Sequence, residues 1–218
     1  LGSHRVINEN LLVGAMLQFD SLTEDRGVGS VSGTGWMIGP YFVAKSATQP
    51  LYFEGRLLYG ETNNSISPFG TYEDSFDTTR MLAQIKVAGE FTFGSTTLTP
   101  FLDASYTTDD QHSYLDTLGN LVPEQGIAIG QIEIGTDFSH MLPVDSGELE
   151  LFGGVSGIWS HSSGNGFAST VTPDYEGGRA RIELGINRTM SAGQRFTATT
   201  YYDGIGASRF ESFGLRLG

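Results

Sequence analysis

The chain has 218 residues, no cysteine, 30 glycines and a formal net charge of −13. The acidic balance repels nucleic-acid phosphate, and the lack of cysteine excludes a disulfide framework, a thiolate metal site and a cysteine nucleophile. No stretch approaches the ~18–20 continuous apolar residues of a membrane helix.

Leu1–Val6 lacks the apolar core of a signal peptide and reads as the middle of a strand that ends in a turn at Asn8, Glu9 and Asn10. The expectation is therefore a fragment. From there on the dominant period is two. Leu11, Val13, Ala15, Leu17 and Phe19 share one face, with Gln18 and Asp20 on the other. Residues 29–45 alternate less cleanly, because Gly29, Gly33, Gly35 and Gly39 interrupt them, and Pro40 predicts a bend or a bulge. Met81, Ala83, Ile85, Val87, Phe91 and Phe93 oppose Arg80, Gln84, Lys86, Glu90 and Thr92. Ala128, Ile132, Ile134 and Phe138 oppose Gln131, Glu133 and Asp137. Further on, Ala180, Ile182, Leu184 and Ile186 oppose Arg179, Arg181, Glu183 and Asn187, and Phe196, Ala198, Thr200 and Tyr202 oppose Arg195, Thr197, Thr199 and Asp203. Successive side chains of a strand point to opposite faces, so the chain reads as one half-apolar sheet.

Strands are predicted near 1–6, 10–20, 29–45, 51–61, 77–93, 96–107, 126–140, 147–160, 177–189, 194–205 and 209–218. Many reach the ~9–11 residues that a tilted strand needs to cross a bilayer. Short turns at 7–9, 46–50, 94–95, 141–146 and 190–193 alternate with connections at 21–28, 62–76, 108–125, 161–176 and 206–208, three of them long. Outer-membrane barrels have short periplasmic turns and longer extracellular loops, which sets the expected sidedness. Aromatic residues end the apolar faces (Phe19, Tyr59, Phe91, Phe93, Tyr106, Phe138, Trp159, Tyr202), as interfacial girdles require. The fold class expected is all-β: an antiparallel, up-and-down transmembrane β-barrel. Bacterial single-chain barrels have an even strand count, so eleven visible strands predict a twelve-stranded barrel. A soluble sandwich or lipocalin-like barrel would have a similar polar face, turned outward.

Three segments carry a family resemblance: Gly35-Trp36-Met37-Ile38-Gly39-Pro40-Tyr41, Phe53-Glu54-Gly55-Arg56, and Ser67-Pro68-Phe69-Gly70-Thr71-Tyr72 with Phe76-Asp77-Thr78. Tyr114-Leu115-Asp116-Thr117-Leu118-Gly119 and Pro123-Glu124-Gln125 extend it. In order and spacing these resemble the autotransporter β-domain, the translocator of type V secretion, over nearly the whole chain. The resemblance implies a twelve-stranded barrel with a helix in its pore, C-terminal to a secreted passenger. It also implies that residues 1–218 form a single outer-membrane barrel domain without the pore helix, the first strand and the C-terminal end. Its expected partners are outer-membrane lipid and lipopolysaccharide, the barrel-assembly machinery and its own passenger, with the barrel a monomer.

No catalytic, cofactor or metal residues are expected. Asp109, Asp110, Gln111 and His112 read as a solvated acidic loop. His161 beside Ser160, Ser162 and Ser163 lacks the elbow pattern of a serine hydrolase. The acidic loops lack the twelve-residue calcium spacing, and Gly153-Gly154 and Gly177-Gly178 lack the lysine of a phosphate cradle. The candidate pore-lining residues are Glu54, Arg56, Lys86, Glu90, Glu133, Arg179, Arg181 and Glu183. They serve either as structural ion pairs across strands or as a hydrated, non-adhesive channel wall. The function expected is passenger translocation; a stand-alone solute pore and a loop-borne outer-membrane hydrolase are the alternatives.

Overall fold

Period-two alternation extends the chain, and the computed structural model, which describes all residues except 26, 28, 171, 172 and 192, is a run of strands. In chain order they are β1 (Gly2–Asn8), β2 (Leu11–Asp25), β3 (Ser30–Lys45), β4 (Leu51–Ser67), β5 (Asp74–Gly89), β6 (Phe91–Phe93) and β7 (Thr96–Gln111). Then come β8 (Tyr114–Leu115), β9 (Leu121–Val122), β10 (Gln125–Leu142), β11 (Glu148–Gly164), β12 (Gly177–Thr189), β13 (Arg195–Ile205) and β14 (Ser212–Leu217). Each wall strand pairs antiparallel with its sequence neighbours, in the order β1-β2-β3-β4-β5-β7-β10-β11-β12-β13-β14. β6 continues β5 along β7, and β8 pairs only with β9. The path is thus an up-and-down sheet of eleven wall strands, matching the sequence reading in number and order. Among the described residues no ladder joins β1 to β14.

Two prolines account for the two gaps of the ladder that leave the register unchanged; register shifts occur elsewhere, between Val6 and Asn8 on β1 and between Ala180 and Arg181 on β12. Between β3 and β4 the register runs through Ile38↔Tyr59 and resumes at Tyr41↔Arg56, skipping Gly39 and Pro40. Along β7 it runs through Ala88↔Phe101 and resumes at Phe91↔Leu98, so the gap at Glu90 lies opposite Thr99 and Pro100. Proline has no N–H to give to a neighbour, so the bond is lost there. Neither site shifts the register. Of the bend or bulge expected at Pro40 the bulge is therefore absent, and the strand loses ladder bonds instead of gaining a residue.

The two faces differ as the alternation predicts. Leu17, Ile38 and Tyr59 lie side by side on one face, as do Ile132 and Trp159, or Val155 and Ile182. Large apolar side chains on this face are exposed, among them Ile38, Tyr59, Ile132, Ile134 and Leu184. The opposite face holds the few buried apolar residues, Met37, Leu58 and Ile158, together with buried Ser156, Ser160 and Asp203. An exterior of exposed apolar and aromatic residues around a polar, covered interior is the inverse of a soluble barrel and suits a lipid surround.

The strands run further toward the long-connection end than expected. β4 continues through Asn63, Asn64 and Ser65, and β7 through Asp109, Asp110 and Gln111. Both faces are polar there, so alternation of hydropathy has nothing to report. Asp109 and Asp110 accordingly belong to a strand, which corrects their placement in a loop, and only His112 lies beyond it. Ser160, His161, Ser162 and Ser163 also belong to a strand, β11.

The wall is close-set at glycines. A β-carbon at Gly60 would overlap the Trp36 carbonyl, whereas one at Gly157 would meet nothing within 4 Å. Gly60→Ala is therefore expected to destabilise the barrel by ~1–3 kcal/mol, since overpacking forces the backbone apart. Gly157→Ala should be neutral or slightly stabilising. Urea titration of the barrel refolded in detergent compares the two; equal midpoints would show that the close approach at Gly60 carries no stability.

Candidate functional site on the polar wall

The polar face carries its charges in three groups, fixed by register. Nearest the long connections, Arg80 donates from Nη1 to Asp20 Oδ2 at 2.9 Å and from Nε to Asp109 Oδ2 at 2.7 Å. Asp20 is on β2 and Arg80 on β5, with two strands between. Their direct neighbours on those strands are Gly35 and Gly60, which carry no side chain.

The second group fills the middle of the wall. Arg56 Nε donates to Gln84 Oε1 at 2.7 Å, and Gln84 Nε2 donates to both oxygens of Asp103, at 2.8 and 2.9 Å. Glu54, Lys86, Asp103 and Glu133 follow one another across β4, β5, β7 and β10. Cross-strand ion pairing, one of the two roles open to this row, does not occur at Lys86: among the described residues it has no carboxylate within 4.0 Å, and its Nζ stands 4.9 Å over the Phe101 ring. Phe101 in turn lies on Gly135, where a β-carbon would be 2.8 Å from Cζ. Glu54, Arg56, Gln84, Lys86 and Asp103, with Met16 and Tyr41, border a cavity of about 420 Å³.

The third group sits on β12 and β13. Arg179 donates to Asp203 Oδ1 at 3.0 Å, to Ser160 Oγ at 3.0 Å and to the Tyr175 carbonyl at 3.2 Å, and its guanidinium lies 5.1 Å over the Phe210 ring. This pair is sunk in the wall: the side chains are 8% and 11% exposed. Arg181 pairs with Glu183 at 3.0 Å on the same strand and lies 5.0 Å over the Tyr201 ring.

The eight residues singled out in the sequence therefore divide. Glu54, Arg56, Lys86, Glu133, Arg179, Arg181 and Glu183 share the polar face, while Glu90 lies in the ladder gap, opposite Thr99, its N–H donating to the Pro50 carbonyl at 2.9 Å. Asp20, Arg80, Asp109 and Asp203 were not singled out, although Arg80, Asp20 and Asp203 stood on the polar face of the alternation. Their partners are set by register, 60 and 24 residues away for Arg80–Asp20 and Arg179–Asp203.

No catalytic constellation forms from the histidines. Glu176 stands between His161 Nδ1, at 3.3 Å, and Ser162 Oγ, so the carboxylate holds the serine hydroxyl and no imidazole is set to accept its proton. The Ser162 hydroxyl, and then His161, hold the Glu176 carboxyl below its ordinary range. His4, His112 and His140 each meet one hydroxyl, of Tyr41, Thr79 and Thr96. Among the described residues no three metal-ligating side chains converge.

The long connection after β7 is folded onto the wall. Asp74 at the start of β5 is buried and accepts the Thr117 N–H at 2.7 Å and its hydroxyl at 2.8 Å. Phe76 stacks on Tyr114 at 5.4 Å. At the tip of the β8–β9 hairpin, Asp116 accepts from Asn120 Nδ2 and from the N–H groups of Asn120 and Leu118.

A charged, partly paired interior inside an apolar, aromatic-banded exterior defines an outer-membrane β-barrel. A model of the autotransporter β-domain family matches residues 1–203, and the chain belongs to that family. It is thus the translocator barrel of an autotransporter, located in the bacterial outer membrane and attached to a passenger domain. Among solved structures it is similar to the β domain of the Bordetella autotransporter BrkA, at 13% identity and TM-score 0.63, covering 99% of this chain and 84% of that one. The transport unit of AIDA-I from Escherichia coli is similar at 12% identity and TM-score 0.65, with 98% and 77% coverage. The E. coli outer-membrane transporter YddB shares the barrel more distantly, at 10% identity and TM-score 0.53, with 99% and 34% coverage. At these identities the structural likenesses speak for the fold alone. No curated protein matches the sequence.

Two outcomes follow from this geometry. Asp203→Ala strands the buried Arg179 guanidinium and is expected to cost ~3–5 kcal/mol, whereas Glu183→Gln, at a half-exposed pair, should cost under ~1 kcal/mol. Equilibrium unfolding in urea separates them, and similar small losses would mean that Arg179 is solvated. The second concerns Asp116, whose carboxyl is lowered first by Asn120 and then by backbone N–H groups. A lowered folded value stabilises the hairpin above the ordinary carboxylate pKa of ~3.9 and releases it as pH falls through that lowered value. The Leu118 and Asn120 amide resonances should move together in that acidic window. The movement should vanish in Asp116→Asn; resonances that shift alike in both would assign the transition elsewhere.

Proposed function

We propose that the polar wall is the lining of the translocation channel, with Glu54, Arg56, Lys86, Glu133, Arg179, Arg181 and Glu183 facing the lumen and Glu90 near its short-turn rim. The observation that carries this is the middle of the wall. There Glu54, Lys86 and Glu133 share a row without direct ion pairs, so water solvates them and the surface offers an extended polypeptide little to adhere to. The long connections face the cell exterior and the short turns the periplasm, as loop styles in such barrels require. Residues 1–218 act as one barrel domain, monomeric, without catalytic activity of its own. Its partners are its own passenger, lipopolysaccharide on the outer wall and the machinery that inserts barrels.

The test is export. Glu54→Leu, Glu133→Leu and Glu183→Leu together turn the hydrated wall adhesive. Surface-exposed passenger should fall severalfold while heat-modifiable mobility reports an intact barrel. Undiminished export from a folded triple variant would remove these residues from the route. Maleimide labelling of Leu118→Cys in intact cells checks the sidedness separately, and labelling seen only after the membrane is breached would reverse it.

A further inference from the structure

Above the aromatic band the outer wall carries a concavity that channel lining does not explain. Phe19 and Trp36 face each other across β2 and β3, and Glu61 is opposite Trp36 on β4. Asn63 and Asp77 form the next row, joined by an Asn63 Nδ2 to Asp77 Oδ1 hydrogen bond of 2.8 Å. His112 closes the far side, with Nε2 2.9 Å from the Thr79 hydroxyl. The space these residues border is about 540 Å³, within the ~300–1,000 Å³ of small-molecule sites. The rings are open to the exterior: Phe19 is 66% and Trp36 37% exposed. Glu61 has no hydrogen-bond or ion-pair partner among the described residues.

The chemistry of the lining selects the ligand. No Lys or Arg borders the space among the described residues, so a phosphate has no counter-charge there. Carboxylate, carboxamide and imidazole groups accept and donate to hydroxyls, and two indole or phenyl faces present electron-rich surfaces to C–H groups. A neutral pyranose ring meets both demands, with hydroxyls at its edge and axial C–H groups on its face. Aromatic residues of barrels mark the membrane interface. A polar site beside them on the outer wall therefore stands among headgroups and not among acyl chains.

The geometry points to a binding site for the sugar headgroup of an outer-leaflet glycolipid on the outer wall of β2–β5, with Trp36 and Phe19 as platform and Glu61, Asn63 and Asp77 as hydroxyl partners. This rests on the long connections facing outward, which the Leu118→Cys labelling tests on its own. The site is separate from the lumen, so export through the channel and glycolipid binding can fail independently.

The experiment uses the full-length protein assembled in the outer membrane and extracted in mild detergent. Native mass spectrometry reads the fraction carrying lipopolysaccharide. Heat-modifiable mobility confirms folding. Asn63→Ala and Glu61→Gln are exposed changes that leave the apolar wall intact, and each should lower that fraction, by about tenfold where a hydrogen-bonded contact worth 1.4 kcal/mol is lost. Trp36→Ala should do the same if it folds, while Trp159→Ala, on the opposite part of the girdle, should not. Lipid-free core oligosaccharide should displace the bound lipid poorly, because only the lipid-linked sugar is held at the wall. The proposal is overturned if Asn63→Ala and Glu61→Gln retain wild-type occupancy, if Trp159→Ala loses as much, or if free oligosaccharide competes as well as lipopolysaccharide, which would make it a soluble-glycan site.

Discussion

A chain in hydrocarbon must satisfy every backbone N–H and C=O within itself, because no water is present to do so. The rest of this structure follows from that demand. Sequence-adjacent strands pair antiparallel along the whole wall, and the register holds even where proline removes a donor. At Pro40 and Pro100 the neighbouring strands keep their alignment on both sides of the gap. A slip of one residue would turn every lipid-facing side chain inward, so losing a ladder bond is the smaller loss. Glycine serves the same end: Gly60 brings β4 against β3 at a spacing that a β-carbon would forbid.

The inward face has a different problem. Its polar groups have water, yet groups near the wall are partly dried. The protein treats the two cases differently. Where an arginine is sunk, as at Arg179, it is saturated by a carboxylate, a hydroxyl, a carbonyl and an aromatic face. Such a group has nothing left to offer a passing chain. In the middle of the wall Glu54, Lys86, Asp103 and Glu133 carry both signs without locking together. Their charges stay hydrated, and mixed signs keep the local field low for peptides of either charge. In the channel lining proposed above, saturated groups at the long-connection end would form a rigid rim and hydrated groups in the middle a slippery interior.

Much of this was legible in the sequence. The eleven wall strands follow from the period of two, because lipid on one side and water on the other write that period into residues such as Ile132, Glu133 and Ile134. Where both sides are polar the period disappears. Residues 63–65, 108–111 and 161–164 extend strands that hydropathy cannot see, which is why Asp109 and His161 read as loop residues. The concavity on the outer wall straddles that boundary: Phe19, Trp36, Glu61 and Asp77 stand on strands the alternation shows, whereas Asn63 and His112 lie where it stops. Ion-pair partners were equally hidden. Arg181 and Glu183 are two residues apart on one strand and could be paired by eye, but Arg179 with Asp203 depends on the β12–β13 register. The β8–β9 hairpin, two residues on each side, is too short to show any period.

That hairpin bears on how the long-connection end works. Long loops on barrels are ordinarily the mobile part of the structure. Here Asp74 is buried at the root of β5 and holds both the N–H and the hydroxyl of Thr117, while Phe76 stacks on Tyr114. On the other side of the mouth, Arg179 ties the Tyr175 carbonyl and the Phe210 ring to β12. In each case the residue that holds the loop is itself part of a wall strand, so its position is fixed by the ladder. Backbone pairing in the membrane thus reaches beyond it. The same register that keeps apolar residues toward lipid also places the carboxylate and the guanidinium that fasten the connections. The mouth of the channel is built on the wall and does not depend on the loops folding by themselves.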